Sequence, residues 1–196
     1  MSQNDAGLIE QVRRFVTETC VPVEAQVSEE DAVPQHVVDA MKELGLFGLT
    51  VPQEYGGLGI SVVQEAQLAM VLGQTSPAFR SLFGTNIGIG AHGLVMEGTE
   101  AQKQEYLPRM VTGEIIASFA LTEPDSGSDA ASLRTTAVRD GDFYVLNGTK
   151  RYITNAPEAS IFTVMARTDP AQKGAGGISA FIVERGTPGL SLGNPD

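Results

Sequence analysis

Cysteine, histidine and basic side chains are all scarce in this sequence. Its 196 residues hold one cysteine, two histidines and 13 lysines and arginines. A lone Cys20 cannot close an internal disulfide or form a CxxC metal or redox site. On a helical stripe it reads as a small buried hydrophobe. Neither histidine has a second one nearby, so no metal site is supported. His36 follows a helix-opening proline and is expected in solvent. His92 sits among small and apolar residues, which suggests a packed or substrate-adjacent place.

Against 24 acidic residues the net charge is −11, and the deficit is uneven. Residues 1–114 carry 6 basic and 15 acidic side chains, residues 115–196 carry 7 and 9. With no basic patch, binding of nucleic acid through its phosphates is not expected, and anionic membrane surfaces are disfavoured. No apolar run approaches the ~18 residues of a spanning helix. The opening MSQNDAGLIE has neither the basic nor the apolar region of a signal peptide. A hydrophobic content of 42% rules out a disordered chain. The expectation is a soluble, acidic, cytoplasmic protein of one or two domains.

What is present falls into two halves with different periods. Leu8, Ile9, Val12, Phe15, Val16 and Thr19 form one helical stripe, and Val37, Val38, Met41 and Leu44 another, the second closed by Gly45. Ser61 with Gln64, and Thr99 with Gln102, have capping-box spacing ahead of further apolar stripes. Pro77 is expected to punctuate the helix after Ser61, and Pro108 to break or kink the one after Thr99. Near residue 114 short apolar and β-branched runs take over. Strands are expected over 115–121, 133–139, 142–147, 160–167 and 178–184, with more extended chain from 149 to 154. Asp140-Gly141 marks a hairpin. Helices followed by strands, without alternation, predict an α+β fold: an all-α domain over 1–114, then a mostly antiparallel β domain over 115–196.

Two motifs fail their context. Gly88, Gly90 and Gly93 match a dinucleotide fingerprint by letter, but they lie in the helical half, far from any strand pair. Small residues that allow close helix packing are the better reading. Gly189, Ser191 and Gly193 match a nucleophile elbow, yet no histidine follows them. A strand after a Thr-Pro-Gly turn is expected there, and a serine hydrolase is excluded.

The informative segments are FALTEPDSGSD at 119–129 and NGTKRYITN at 147–155. In the first, Gly127 permits close backbone approach, while Thr122, Ser126 and Ser128 offer hydroxyls and the turn can form an anion-binding nest. In the second, Tyr152 and Thr154 would share a strand face, an aromatic and a hydroxyl able to cover a planar ring. Each alone also suits an ordinary turn or strand. Together, and in this order, they resemble the flavin-binding signature of the acyl-CoA dehydrogenase family. ELGLFGLTVPQEYGGLG at 43–59, GTEAQKQEYLPRMVTGE at 98–114 and GISAFIVERGTPGL at 177–190 resemble further segments of that family.

The resemblance implies a helical N-terminal domain and a middle β-barrel domain that binds FAD, with acyl-CoA lying along the flavin. Phe119, Ala120, Leu121, Thr122, Gly127 and Ser128 would line the cofactor, with Thr122 on the flavin's pyrimidine side. Ser128 would reach both the cofactor phosphates and the CoA portion of the substrate. Tyr152 would take a place where many members carry tryptophan. Ile153 would adjoin the ring, and Thr154 would bond its hydride-accepting nitrogen. The implied reaction is α,β-dehydrogenation of an acyl-CoA thioester in fatty acid metabolism, with electron-transfer flavoprotein as acceptor and a homo-oligomeric full-length enzyme. The family's glutamate base lies in a C-terminal helical domain. The sequence stops at Asp196 inside the expected barrel, so the resemblance implies a fragment without that bundle and without its base, inactive alone. An acyl-CoA oxidase and a non-catalytic partner subunit remain alternatives. Segment 83–96, FGTNIGIGAHGLVM, would line an acyl tail or pack against neighbouring helices.

Overall fold

A computed structural model describes residues 3–193. Residues up to Ile115 form one compact unit and those from Ile116 a second.

The first unit is all helical. Helix α1 (Gln3–Phe15) runs on through a π-helical turn, Val16–Cys20, and a 3-10 turn, Val21–Val23, into α2 (Glu24–Glu30). Helix α3 (Gln35–Glu43) starts after Pro34, and Gly45 follows it in the left-handed region at φ 69°. Helices α4 (Val62–Leu72) and α7 (Glu100–Val111) both open with complete capping boxes, as their spacing foretold. In α4 the Gln64 amide N–H donates to Ser61 Oγ, and the Ser61 N–H to Gln64 Oε1. Such a box satisfies two of the amides that a helix start leaves unpaired.

The two prolines take different places in their helices. Pro77 opens a separate helix, α5 (Pro77–Thr85), where its missing N–H is harmless and Ser76 caps Ala78. Pro108 lies inside α7, which continues through it to Val111. Leu107 and Met110 on either side are fully buried. That packing outweighs the lost hydrogen bond. After α5 come a π-helical segment, Asn86–Gly90, and α6 (His92–Glu97). The core joins Val12, Met41, Phe47, Leu68, Phe79, Phe83 and Leu107, with Phe47 and Phe83 edge to face at 6.3 Å.

Between α3 and α4 the chain folds back on itself, with Leu58 N–H bonded to Gly48 O and Ile60 N–H to Leu49 O. A Cβ on Gly57 would lie 2.0 Å from Val51 O, so only glycine fits there.

The second unit is one five-stranded mixed sheet. Strands β2 (Thr136–Asp140) and β3 (Phe143–Asn147) form the expected hairpin, its two-residue turn at Gly141-Asp142, one position beyond Asp140-Gly141, and β4 (Ile161–Arg167) pairs antiparallel with β5 (Ile178–Glu184) along its whole length. The other edge of β4 takes β1 (Ala117–Ala120) in parallel over Ile161–Val164, and β2 in parallel at Arg167. Most of the pairing is antiparallel, and the long connection between β1 and β4 is what permits their parallel join. Residues 190–193 form no strand, so the strand expected over Gly189–Gly193 is absent, and with no helix there the elbow reading also fails. Among the described residues no helix is long and apolar enough to cross a membrane.

Candidate functional site

The two signature segments leave the sheet at neighbouring places. After β1 the chain turns tightly at Glu123–Ser126, whose N–H and C=O groups exchange bonds of 2.8 and 3.2 Å across Pro124-Asp125. Ser126 Oγ donates to Asp129 O at 2.8 Å and steadies the following loop. Beyond β3, Gly148 packs on Thr135, where a Cβ would come 2.3 Å from Oγ1.

The extended chain expected over 149–154 is not a strand. Tyr152 and Asn155 take left-handed conformations, at φ 57° and 62°. The shared strand face of Tyr152 and Thr154 is therefore corrected: a turn sets their directions. A tyrosine with positive φ is strained, at a cost of about 1–2 kcal/mol, and persists only where its surroundings over-determine it.

Those surroundings are specific. Arg151 N–H donates to Thr122 O at 2.9 Å, and Ser118 Oγ to Thr154 O at 2.7 Å. Lys150 Nζ reaches Leu121 O at 2.9 Å and Glu123 Oε1 at 2.8 Å. Glu123 also accepts from the backbone N–H groups of Arg134 (2.6 Å) and Thr135 (2.9 Å). The ion pair is nearly closed to water, with the two side chains 11% and 6% exposed. Burial alone would raise the Glu123 carboxyl, but the Lys150 ammonium and the backbone donors outweigh it and hold the group at about 2. A carboxylate so committed cannot serve as a general base.

Around this clamp the expected ligand-facing groups are available. Ala120 is buried, and Phe119, Leu121, Thr122 and Ile153 are half-buried. Gly127, Ser128, Tyr152 and Thr154 are exposed. The hydroxyls of Thr122, Ser128 and Thr154 bond no other described residue. Nothing lies within 4 Å of a Cβ built on Gly127, so its backbone is open to approach. Tyr152 is 64% exposed, and the Arg151 guanidinium stands 4.5 Å from its ring centroid. Uncommitted hydroxyls beside an exposed aromatic suit a flat ring with polar edges, and this donor set fits a flavin.

Beyond Ser128 an open hollow of about 340 Å³ is lined by Asp129, Ser132, Arg167, Lys173 and Gly174, among others. Arg167 donates to the carbonyls of Ala131, Leu133, Gln172 and Gly174 at 2.7–3.4 Å. Among the described residues neither Arg167 nor Lys173 has a carboxylate partner. With Asp129 the one acidic side chain among the lining residues, the two cations leave the hollow positive on balance.

In the helical unit, Cys20 is buried, and its thiol is pushed up to about 12 by burial and then by Glu24, so it stays protonated and unreactive. Both histidines are exposed, which corrects the packed place considered for His92. Among the described residues no cluster could hold a metal. Gly88 and Gly93 have nothing within 4 Å of a built Cβ, so close helix packing does not explain them. Ile89 and Met96 in the same segment are exposed.

Sequence reasoning missed Glu123, Lys150 and Arg167. Opposite charges inside the two signature segments were the available sign for the first pair. Nothing in the strand letters marked Arg167.

Comparison with known proteins places these features. Residues 2–114 match the model for the acyl-CoA dehydrogenase N-terminal domain, and residues 118–196 that for the acyl-CoA dehydrogenase middle domain. The mitochondrial very long-chain specific acyl-CoA dehydrogenase of Homo sapiens is 43% identical over 195 residues, covering 96% of this chain and 30% of the human protein. The structure of a glutaryl-coenzyme A dehydrogenase with glutaryl-CoA superposes with a TM-score of 0.94 at 34% identity, over 100% of this chain and 50% of that one. A glutaryl-CoA dehydrogenase from Mycobacterium smegmatis, in complex with FADH2, gives 0.87 at 35% identity, over 97% and 48%. The chain thus spans about half the length of the solved structures it matches.

Proposed function

This chain belongs to the acyl-CoA dehydrogenase family, and on that premise we propose that it forms the flavin-binding surface of an FAD-dependent enzyme that dehydrogenates an acyl-CoA thioester between its α and β carbons. The observation that carries this reading is the joining of Thr122 to the Tyr152–Thr154 turn, with the hydroxyls left uncommitted. FAD, when bound, supplies the hydride acceptor. Phe119, Ala120, Leu121 and Ile153 give the apolar wall, Tyr152 covers the ring, and Thr122 and Thr154 bond its polar edge. Gly127 and Ser128 approach the phosphates and, through Ser128, the CoA portion of the substrate. The hollow with Arg167 and Lys173 supports that placing, since CoA is polyanionic. The open, apolar stretch about Ile89 supports a place for the acyl tail in the helical unit.

The proton on the α carbon needs a base, and this reading assigns none within residues 1–196. The chain by itself is accordingly expected to bind FAD weakly and to turn over no acyl-CoA. Electron-transfer flavoprotein is the proposed acceptor, in a cytoplasmic homo-oligomer.

Titration of FAD into the purified chain, followed by flavin fluorescence, tests the reading. Saturable one-to-one binding is expected, weakened about tenfold by Thr154→Val, the worth of one hydrogen bond. Absence of saturable binding overturns the cofactor assignment. Acyl-CoA turnover by the chain alone overturns the placing of the base outside it. Peroxide formation from oxygen during turnover by the complete enzyme would identify an oxidase instead.

A further inference from the structure

Glu123 and Lys150 make no use of their charges at the surface. Each side chain is about nine-tenths or more buried. Lys150 spends its ammonium on Glu123 Oε1 and Leu121 O, and Glu123 gathers the amides of Arg134 and Thr135 as well. Three stretches of chain therefore meet at one carboxylate: the turn after β1, the approach to β2, and the loop after β3.

The position of the pair in the sequence sharpens its meaning. Glu123 follows Thr122 directly, and Lys150 stands two residues before Tyr152. Between Lys150 and Tyr152, Arg151 N–H bonds Thr122 O at 2.9 Å. On the far side, Thr154 O is held by Ser118 Oγ. The left-handed Tyr152 falls inside this bracketed span, and the left-handed Asn155 follows it directly. Left-handed tyrosine relaxes unless its flanks are fixed. The Lys150 anchor is the charged, water-excluded member of that bracket, and charge-assisted bonds are the strongest available for the purpose.

We infer that Glu123 and Lys150 are positioning residues for flavin binding: their buried ion pair holds Tyr152 in its left-handed turn and keeps Thr122 in register with Thr154. The inference rests on the flavin reading above and assigns the pair a role that the ligand-facing residues cannot supply for themselves. Neither residue need touch the cofactor. The pair acts through backbone geometry, by fixing where an aromatic face and two hydroxyls point.

Single substitutions confuse this role with folding, because each leaves a buried charge without its partner. The informative variant removes both charges, E123Q/K150M, so that neither is left buried without its partner. Two properties of the 196-residue chain are measured in wild type and variant: affinity for FAD, and the amide-to-Hα couplings of Tyr152 and Asn155, which report φ without any ligand. The expected result is loss of the left-handed couplings in a chain that still folds, with FAD affinity lowered tenfold or more. A purely stabilising pair would instead lower the thermal midpoint and leave couplings and affinity as in wild type, which overturns the inference. Wild-type protein that fails to bind FAD, with couplings that still collapse in the variant, overturns the flavin reading while the pair's hold on the turn stands.

Discussion

At the scale of single residues, the second unit concentrates its unusual chemistry in a few side chains. Glu123 is ionised in a place where water hardly reaches, and it owes this to Lys150 and to two amides. Its carboxyl is held at about 2, below its ordinary value of 4.5. A depressed folded-state value means that the unfolded chain takes up the proton first as pH falls. The resulting stability is present in full above the ordinary value and is lost as pH drops from there towards 2. On the order of 3 kcal/mol is at stake. Urea unfolding of wild type and E123Q between neutral pH and pH ~3 checks this: the wild type is expected to lose stability steeply, the variant to start lower and change less. Tyr152 shows the converse economy, a strained backbone retained beside an exposed ring.

At the scale of elements, the helices obey local rules wherever those rules are strong. The boxes at Ser61 and Thr99 close as their spacing requires. In α7, Thr99 Oγ1 accepts from Gln102 N–H at 3.3 Å, and Gln102 Oε1 from Thr99 N–H at 2.9 Å. Thr99→Ala is expected to cost about 1 kcal/mol of stability, read as a lowered urea midpoint with an unchanged slope. Pro108 shows where a local rule gives way. Its helix persists because Leu107 and Met110 bury completely beside it. The apolar periods of α1 and α3 were readable because each stripe faces one core. Helix α5 and the π-helical turn at Asn86–Gly90 were not read from the sequence, although Phe79, Phe83 and Ile87 recur every four residues and are all buried.

At the scale of the whole molecule, two units have separate cores and contrasting chemistry. The acidity lies in the helical unit, and the flavin-facing groups of the proposed site lie in the near-neutral sheet unit. That sheet carries β5, seven residues rich in β-branched and aromatic side chains, whose outer edge pairs with no other described strand. An edge of this kind is a template for pairing with another chain. The 196-residue chain is therefore expected to associate with rising concentration, and Ala180→Lys, at an exposed position of β5, to suppress this. Sedimentation velocity at several concentrations reads the difference directly.

The order of helices and strands, the change of period near residue 114 and the family resemblance were determined by the sequence itself, because each depends on residues within a turn or two of one another. The hydroxyls proposed to face the cofactor, at Thr122, Ser128 and Thr154, could be named on the same basis, through a recognisable run of letters. Their arrangement could not. Lys150 meets a carboxylate 27 residues away, and Arg151 meets Thr122 across a similar gap, only because the parallel join of β1 to β4 and the β2–β3 hairpin bring those stretches together. The left-handed turn at Tyr152 has the same origin. No local preference selects a strained tyrosine backbone, so only the bonds converging on it from distant chain could decide that it forms.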